Sequence, residues 1–201
     1  CETDFVAKND DFVSLAKSIL DVAVEKLPNN IDELKECKIN GKTVADLVSE
    51  KSGITGEKME LAYYDKIEAA QVSSYIHMGN KLATVVGLNL VVDDSIGFNV
   101  AMQIAAMNPV SIDKDSVPQS VIDKELEIGR EQARLEGKAE ELLDKIAQGK
   151  LQKFFKESTL LNQEFVQEGK ISVREYLQKN NKELYRFLYN FESFSSLKVF
   201  K

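Results

Sequence analysis

The stretch from Pro118 to Glu157 constrains the fold more than any other part of this chain. It is densely charged and carries no proline after its first residue, so nothing in it interrupts a helix. Apolar and small residues recur in a heptad-like series at Ile122, Leu126, Gly129 and Ala133, then at Ala139, Leu142 and Ile146, with Leu143, Ala147, Leu151 and Phe154 alongside. Gly137 divides the series. The pattern predicts two helices of about four to five turns, joined at Glu136-Gly137-Lys138 and burying a thin seam against each other. An ordinary helix pair inside a globular core has the same period. The charges leave little apolar surface beyond one seam, which favours a protruding antiparallel hairpin.

Upstream, Phe12, Leu15, Ala16, Ile19, Leu20, Ala23, Val24 and Leu27 form the stripe of an amphipathic helix. Asn9, Asp10 and Asp11 supply capping oxygens and negative charge at its start, and Pro28 stops it. The segment Thr3 to Lys8 leads into that helix from what reads as a strand end, with Phe5 near the helix entrance and exposed. Thr43 and Asp46 make a capping box for a second helix closing at Gly53. From Glu57 to Leu90 the period shortens to 2, through Met59, Leu61 and Tyr63, then Val72, Ser74 and Ile76, then Leu82, Thr84, Val86 and Leu88. These read as strands, with a turn at Met78-Gly79-Asn80. Asp94 or Ser95 then caps a helix burying Phe98, Ala101, Ile104 and Ala105 and ending at Asn108-Pro109. Ser172 and Glu175 open a helix through Val173, Tyr176 and Leu177, and Glu183 to Phe191 alternates as a final strand with Tyr185, Phe187, Tyr189 and Phe191 on one face.

The element order is that of an α+β protein, a helix-led part followed by a sheet-and-helix part that the hairpin interrupts. Of the 201 residues, 43% are hydrophobic and 29% charged, the composition of one or two folded domains. No run of 18 apolar residues and no signal segment occurs. A cytoplasmic setting is expected. The formal charge of -7 and the pI near 5.0 oppose polyanions, so direct nucleic-acid binding and attachment to anionic membranes are not expected. Because the chain begins at Cys1 without an initiator methionine, a fragment, or a disordered or processed start, is expected.

Chemistry-bearing residues are few. Cys1, Cys37 and His77 are the whole Cys and His complement, too few for a structural zinc site. Both thiols are expected to be reduced. Phosphate-binding glycine loops, dinucleotide fingerprints, metalloprotease helices and nucleophile elbows are absent from the sequence. No enzymatic activity, catalytic residue, metal site or cofactor is expected. His77 is open to three readings, as a general base, a structural histidine or an interface residue. Phe5 has two, as a staple on Phe12 or Leu15 of its own helix or as an anchor for a partner. Asp4 either caps the next turn or pairs with a cation on a partner.

Four ordered stretches resemble the elongation factor Ts family: Cys1-Glu2-Thr3-Asp4-Phe5-Val6-Ala7-Lys8-Asn9, Ser74-Tyr75-Ile76-His77 before a glycine turn, Val100 to Ala106 followed by Asn108-Pro109, and Leu160-Leu161-Asn162-Gln163-Glu164-Phe165-Val166. The resemblance implies a guanine-nucleotide exchange factor for elongation factor Tu. It implies two antiparallel-sheet-plus-helix core subdomains, 1–70 and 71–110 with 158–193, with the hairpin at 111–157 inserted and a tail at 194–201. It also implies that the family's small N-terminal helical module is missing here. Thr3, Asp4, Phe5 and Val6 take the position of the segment that dislodges magnesium, with Phe5 as the wedge. Tyr75, His77 and Gly79 take that of a second contact with the partner. Lys81, Ala83 and Glu164 depart from the family's usual arginine, glycine and proline. A second copy, joined through the hairpin, is a further candidate partner. The competing reading is a scaffold protein that grips another chain through that hairpin without affecting nucleotide.

Overall fold

Where the sequence changes period, the backbone changes element. The computed structural model describes residues 1–79 and 82–181; the final strand expected at 183–191 and the tail lie outside them. The fold is α+β. Two compact units divide the chain, Cys1–Lys66 and Ile67–Lys201.

The first unit begins with a single helical turn, α1 (Asp4–Ala7), and continues through α2 (Asp10–Lys26), α3 (Ile31–Glu36), a short hairpin of β1 (Lys38–Ile39) and β2 (Lys42–Thr43), and α4 (Val44–Thr55). Residues 4–7 are therefore helical, not the end of a strand. Ile19, Ala23, Leu34 and Val44 are buried together, with Leu15, Val48, Leu61 and Tyr64 packed against them. The buried stripe of α2 is narrower than expected, because Leu20, Val24 and Leu27 are all more than half exposed. The Thr43–Asp46 capping box forms. However, α4 runs through Gly53 and ends at Gly56, whose φ of 71° supplies the left-handed residue that closes the helix. An interior glycine costs a helix only about 1 kcal/mol, too little to end one that packs well.

The expected strand through Met59, Leu61 and Tyr63 is not formed. Burial does alternate at Glu57, Met59 and Leu61, so this segment rests one side on the core. No ladder partner pairs with it among the described residues, and alternation without a partner does not make a strand.

The second unit pairs β3 (Gln71–Ile76) antiparallel with β4 (Ala83–Leu88), Tyr75 opposite Thr84 and Ser73 opposite Val86. Thr84, Val86 and Leu88 face inward as expected, but Val72, Ser74 and Ile76 face out. The register puts Ser73 and Tyr75 on the side with Val86 and Thr84, and that side meets α5 (Asp94–Met107). Asp93 caps α5, one or two positions earlier than expected, and Asn108 closes it at φ 42°. Ala101 and Ile104 are buried, whereas Phe98 is 45% exposed and Ala105 half-buried. At Gly97, a Cβ atom would fall 2.0 Å from Ser73 Oγ, so glycine is what lets α5 approach the sheet.

The helical hairpin consists of α6 (Gln119–Leu135) and α7 (Glu140–Ser158), which pack chiefly on each other. Its seam runs through Gly129, Ala133, Leu143, Ala147 and Leu151. Leu142, placed in the heptad series, is instead 47% exposed. Beyond the hairpin, Leu160, Leu161 and Phe165 join the core of the second unit. There Phe165 stacks on Tyr176 of α8 (Val173–Asn180), whose Ser172–Glu175 capping box is complete.

The packing makes stability sensitive at two points. Gly97→Ala will destabilise the protein by about 1–3 kcal/mol, the usual range for overpacking, and Ser73→Gly in the same chain will recover part of it; denaturant unfolding measures both. The second concerns Asp113, 7% exposed at its side chain and paired with Arg174. Burial pushes its carboxyl up, but the Arg174 and Asn162 hydrogen bonds and the Lys114 amide more than offset this and hold it below the usual range. Its stabilisation is present in full above the ordinary carboxylate pKa and is lost as pH falls through the depressed one. Asp113→Asn will therefore weaken the protein at neutral pH and flatten the acid side of its stability curve, read from urea unfolding between about pH 2 and 7.

Candidate partner-binding site

A one-turn helix has no stability of its own, so α1 depends on its ends. Thr3, with extended backbone, caps it, its hydroxyl accepting the Val6 N–H at 3.4 Å. At the other end the Asn9 N–H donates to the Val6 carbonyl at 2.9 Å. Asn9 Oδ1 accepts the Asp11 and Phe12 amides at 2.9 and 3.4 Å, starting α2. Two capped starts six residues apart thus fix α1 as a tight corner. Successive residues on a helix point about 100° apart, and the corner uses this directly. Val6 is buried at 7% exposure, while Phe5 stands 83% exposed. Phe5 is therefore not stapled to its own helix. Both caps are made by other residues, Thr3 and Asn9, and Asp4 occupies the first turn, where negative charge favours the helix N-terminus.

Glu57 completes this corner and was not singled out by motif or period. Its carboxylate accepts the Glu2 and Thr3 amides at 3.1 and 3.0 Å and also the Thr3 hydroxyl. Glu57 is itself tied down by Ser52 of α4, whose hydroxyl donates to the Glu57 carbonyl at 2.6 Å and accepts the Met59 amide at 3.3 Å. The Thr3 hydroxyl above all holds the Glu57 carboxyl below the usual range; burial, next in size, opposes it, and the amides of Thr3 and Glu2 add to the lowering. The available signal was its position directly after the helix-closing Gly56. The apolar recess beside the corner, lined by Cys1, Phe12, Leu15, Ile19, Met59 and Leu61, is about 160 Å³, smaller than the roughly 300 Å³ at which ligand pockets begin. Among the described residues the corner presents a side chain, and the recess beside it is smaller than a nucleotide requires.

Tyr75, His77 and Gly79 lie in the second unit, separate from Thr3, Asp4, Phe5 and Val6 in the first. The Tyr75 hydroxyl meets His77 Nδ1 at 2.8 Å, and Tyr75 also makes an edge contact with Phe98 at 5.6 Å between ring centroids. His77 is exposed, and its amide donates to the Leu82 carbonyl at 2.8 Å, closing the turn. Gly79 takes a φ of 89° in that turn, a conformation that favours glycine. Met78 is 90% and Ile76 65% exposed beside it. The result is a small surface of mixed polarity, with the Tyr75 hydroxyl bonded to the His77 ring.

Among the described residues, no three His, Cys, Asp or Glu side chains converge as a metal site, and no helix is long and apolar enough to cross a membrane. Cys1 and Cys37 are both free thiols.

Residues 2–193 match the family model described as Elongation factor TS. The chain is 50% identical over 185 residues to Elongation factor Ts of Porphyromonas gingivalis, covering 92% of this chain and 68% of that protein. It is 46% identical to Elongation factor Ts of Azobacteroides pseudotrichonymphae, with the same coverage of both chains. To that of Amoebophilus asiaticus it is 50% identical over 182 residues, covering 89% of this chain and 66% of the relative.

The geometry of the corner separates its two apolar residues by their effect on stability. Phe5→Ala will change unfolding free energy by no more than about 0.5 kcal/mol, as surface substitutions do. Val6→Ala, at a buried position, will cost about 1–2 kcal/mol. Chemical denaturation of the two variants beside the parent checks the pair.

Proposed function

Because the chain belongs to the elongation factor Ts family, a family of translation elongation factors, we propose that it promotes GDP release from elongation factor Tu by dislodging the magnesium ion at the nucleotide site. The observation that carries this reading is Phe5, 83% exposed on a corner anchored by buried Val6 and by the Thr3 and Asn9 caps. Magnesium requires near-octahedral oxygen geometry at about 2.0–2.1 Å, so small shifts of its ligands or of the phosphates are enough to weaken it. An aromatic side chain inserted between packed elements of the partner supplies such a shift, as packed interfaces move between discrete arrangements. Thr3 and Val6 hold the wedge in place, and Asp4 faces the partner at its base.

Tyr75, His77 and Gly79 make a second contact with another part of the partner. In this reading the two surfaces belong to two core subdomains, 1–70 and 71–110 with 158–193, and the hairpin at 111–157 is an inserted arm. The chain acts in the cytoplasm by binding a protein, without contacting nucleic acid or membrane directly. It takes no cofactor and forms or breaks no bond, so it is not an enzyme.

Exchange requires that the chain bind nucleotide-free elongation factor Tu more tightly than the GDP-bound form. Linkage makes the effect reciprocal: any factor by which the chain weakens GDP, GDP returns to the chain, with each tenfold equal to about 1.4 kcal/mol.

A second reading rests on Leu135 and Leu142, 80% and 47% exposed where the hairpin turns back. There the arm joins a second copy of the chain, and the protein acts as a scaffold. Release of a fluorescent GDP analogue from elongation factor Tu in excess magnesium distinguishes the two. The parent chain will accelerate release, and Phe5→Ala will remove about 30-fold or more of that acceleration, the scale of a buried aromatic hot spot. Acceleration undiminished in Phe5→Ala would refute the wedge. No acceleration, with self-association of the parent chain in analytical ultracentrifugation abolished by Leu142→Ala, would favour the scaffold.

A further inference from the structure

We propose that Glu57 is the positioning residue of the Phe5 corner, a carboxylate latch that sets the direction in which the wedge is presented; this inference rests on the exchange reading above. The latch joins parts of the chain that sequence holds far apart, since Glu57 and Thr3 are 54 residues distant. Its oxygens divide the task. Oε2 accepts the Glu2 and Thr3 amides, and Oε1 accepts the Thr3 hydroxyl. A threonine hydroxyl has one proton to give. With that proton given to Glu57, the oxygen of Thr3 turns its lone pairs toward the Val6 amide, which is the bond that caps α1. Removing the carboxylate therefore releases the cap as well as the strand of chain before it. All three bonds end on a charged acceptor and are of the stronger, charge-assisted kind.

The latch is fixed to the body of its unit from behind. Gly56 turns the chain at the end of α4, and Ser52 bonds the backbone on both sides of Lys58, at the Glu57 carbonyl and the Met59 amide. Position therefore passes from α4 through Ser52 and Glu57 to Thr3, and from the one-turn helix to Phe5. Val6 anchors the corner in depth through its burial. Glu57 is the contact that fixes its rotation. It touches neither nucleotide nor magnesium in this reading and acts only through Phe5.

Two measurements test the latch. The first needs no partner: in Glu57→Ala the Val6 amide will exchange hydrogen at least about tenfold faster than in the parent, as expected when a charged hydrogen-bond acceptor is lost. Glu57→Gln, which keeps one carbonyl acceptor, will fall between the two. Val6 protection unchanged in Glu57→Ala would overturn the inference.

The second is GDP-analogue release from elongation factor Tu at saturating chain. Glu57→Ala will lower the maximal acceleration by about tenfold with little change in the half-saturating concentration, and Glu57→Gln will restore part of it. The double variant Phe5→Ala/Glu57→Ala will be no slower than Phe5→Ala alone, because a residue acting through Phe5 has nothing to position once the ring is gone. Additive losses, or a Glu57→Ala rate within about twofold of the parent while Phe5→Ala is impaired, would overturn the latch and leave the wedge standing. Full exchange by Phe5→Ala would instead refute the wedge reading, and Val6 protection would still decide whether Glu57 holds the corner.

Discussion

The second unit depends on how the roots of its hairpin are joined. Chain that leaves for α6 and chain that returns from α7 are held side by side: the Val110 amide donates to the Ser158 carbonyl at 2.8 Å, and the Leu160 and Leu161 amides donate to Ser111 and Ile112 at 2.9 Å. Asp113 closes this junction. Its carboxylate takes Asn162 at 2.8 Å, the Lys114 amide at 2.8 Å and the guanidinium of Arg174. A buried carboxylate is tolerated only when its lone pairs are filled and its charge is paired. The requirement therefore recruits one residue from before the hairpin and two from after it. With both roots pinned, the core of Leu88, Val100, Ile104, Leu160 and Phe165 closes as if the arm were absent.

The first unit uses a related device in a different setting. Glu57 also collects donors from a distant part of the chain, but at the surface. Asp113 is shielded and stabilises a junction that burial already favours. Glu57 works against water for every bond, which suits a contact that orients a corner more than one that holds a core. The Ser52 bonds compensate by removing the freedom of the Glu57 backbone before its side chain is engaged.

How far the sequence reveals this depends on the range of the interaction. Elements set by local chemistry were legible: the Asn9 start of α2, the Thr43 and Ser172 capping boxes, the hairpin break at Gly137, and exposed Phe5. The β1–β2 hairpin is equally local, since Asn40-Gly41, with φ of 52° and 86°, is the pair that such a turn prefers, but its two-residue strands are too short to show a period. Elements that require a partner elsewhere in the chain are not legible in this way. The alternation through Met59 and Leu61 reports contact with a core and not a ladder. The buried face of β3 is the opposite of the one its pattern suggests, since Val72 and Ile76 are more apolar than Ser73, yet Gly97 brings α5 to Ser73. In the hairpin, two apolar series compete, and the one carrying the small Ala147 opposite Gly129 wins because it permits closer approach. Glu57 had no signature, because a single glutamate shows its use only once Thr3 is beside it.

That closeness has a mechanical consequence. With a Cβ at Gly129 falling only 3.0 Å from Ala147 Cα, the two helix backbones nearly touch and have little room to slide. They are further cross-linked by Arg130 to Asp144 and by Arg134 to Glu140. A pair so joined bends as one beam. At 1.5 Å per residue, the 19 residues of α7 make it about 28 Å long. As a lever, it turns a pivot of about 5° at the root into a sweep of about 2.5 Å at the far end, so the bonds that pin the roots, those of Asp113 among them, set how closely the far end is held in place.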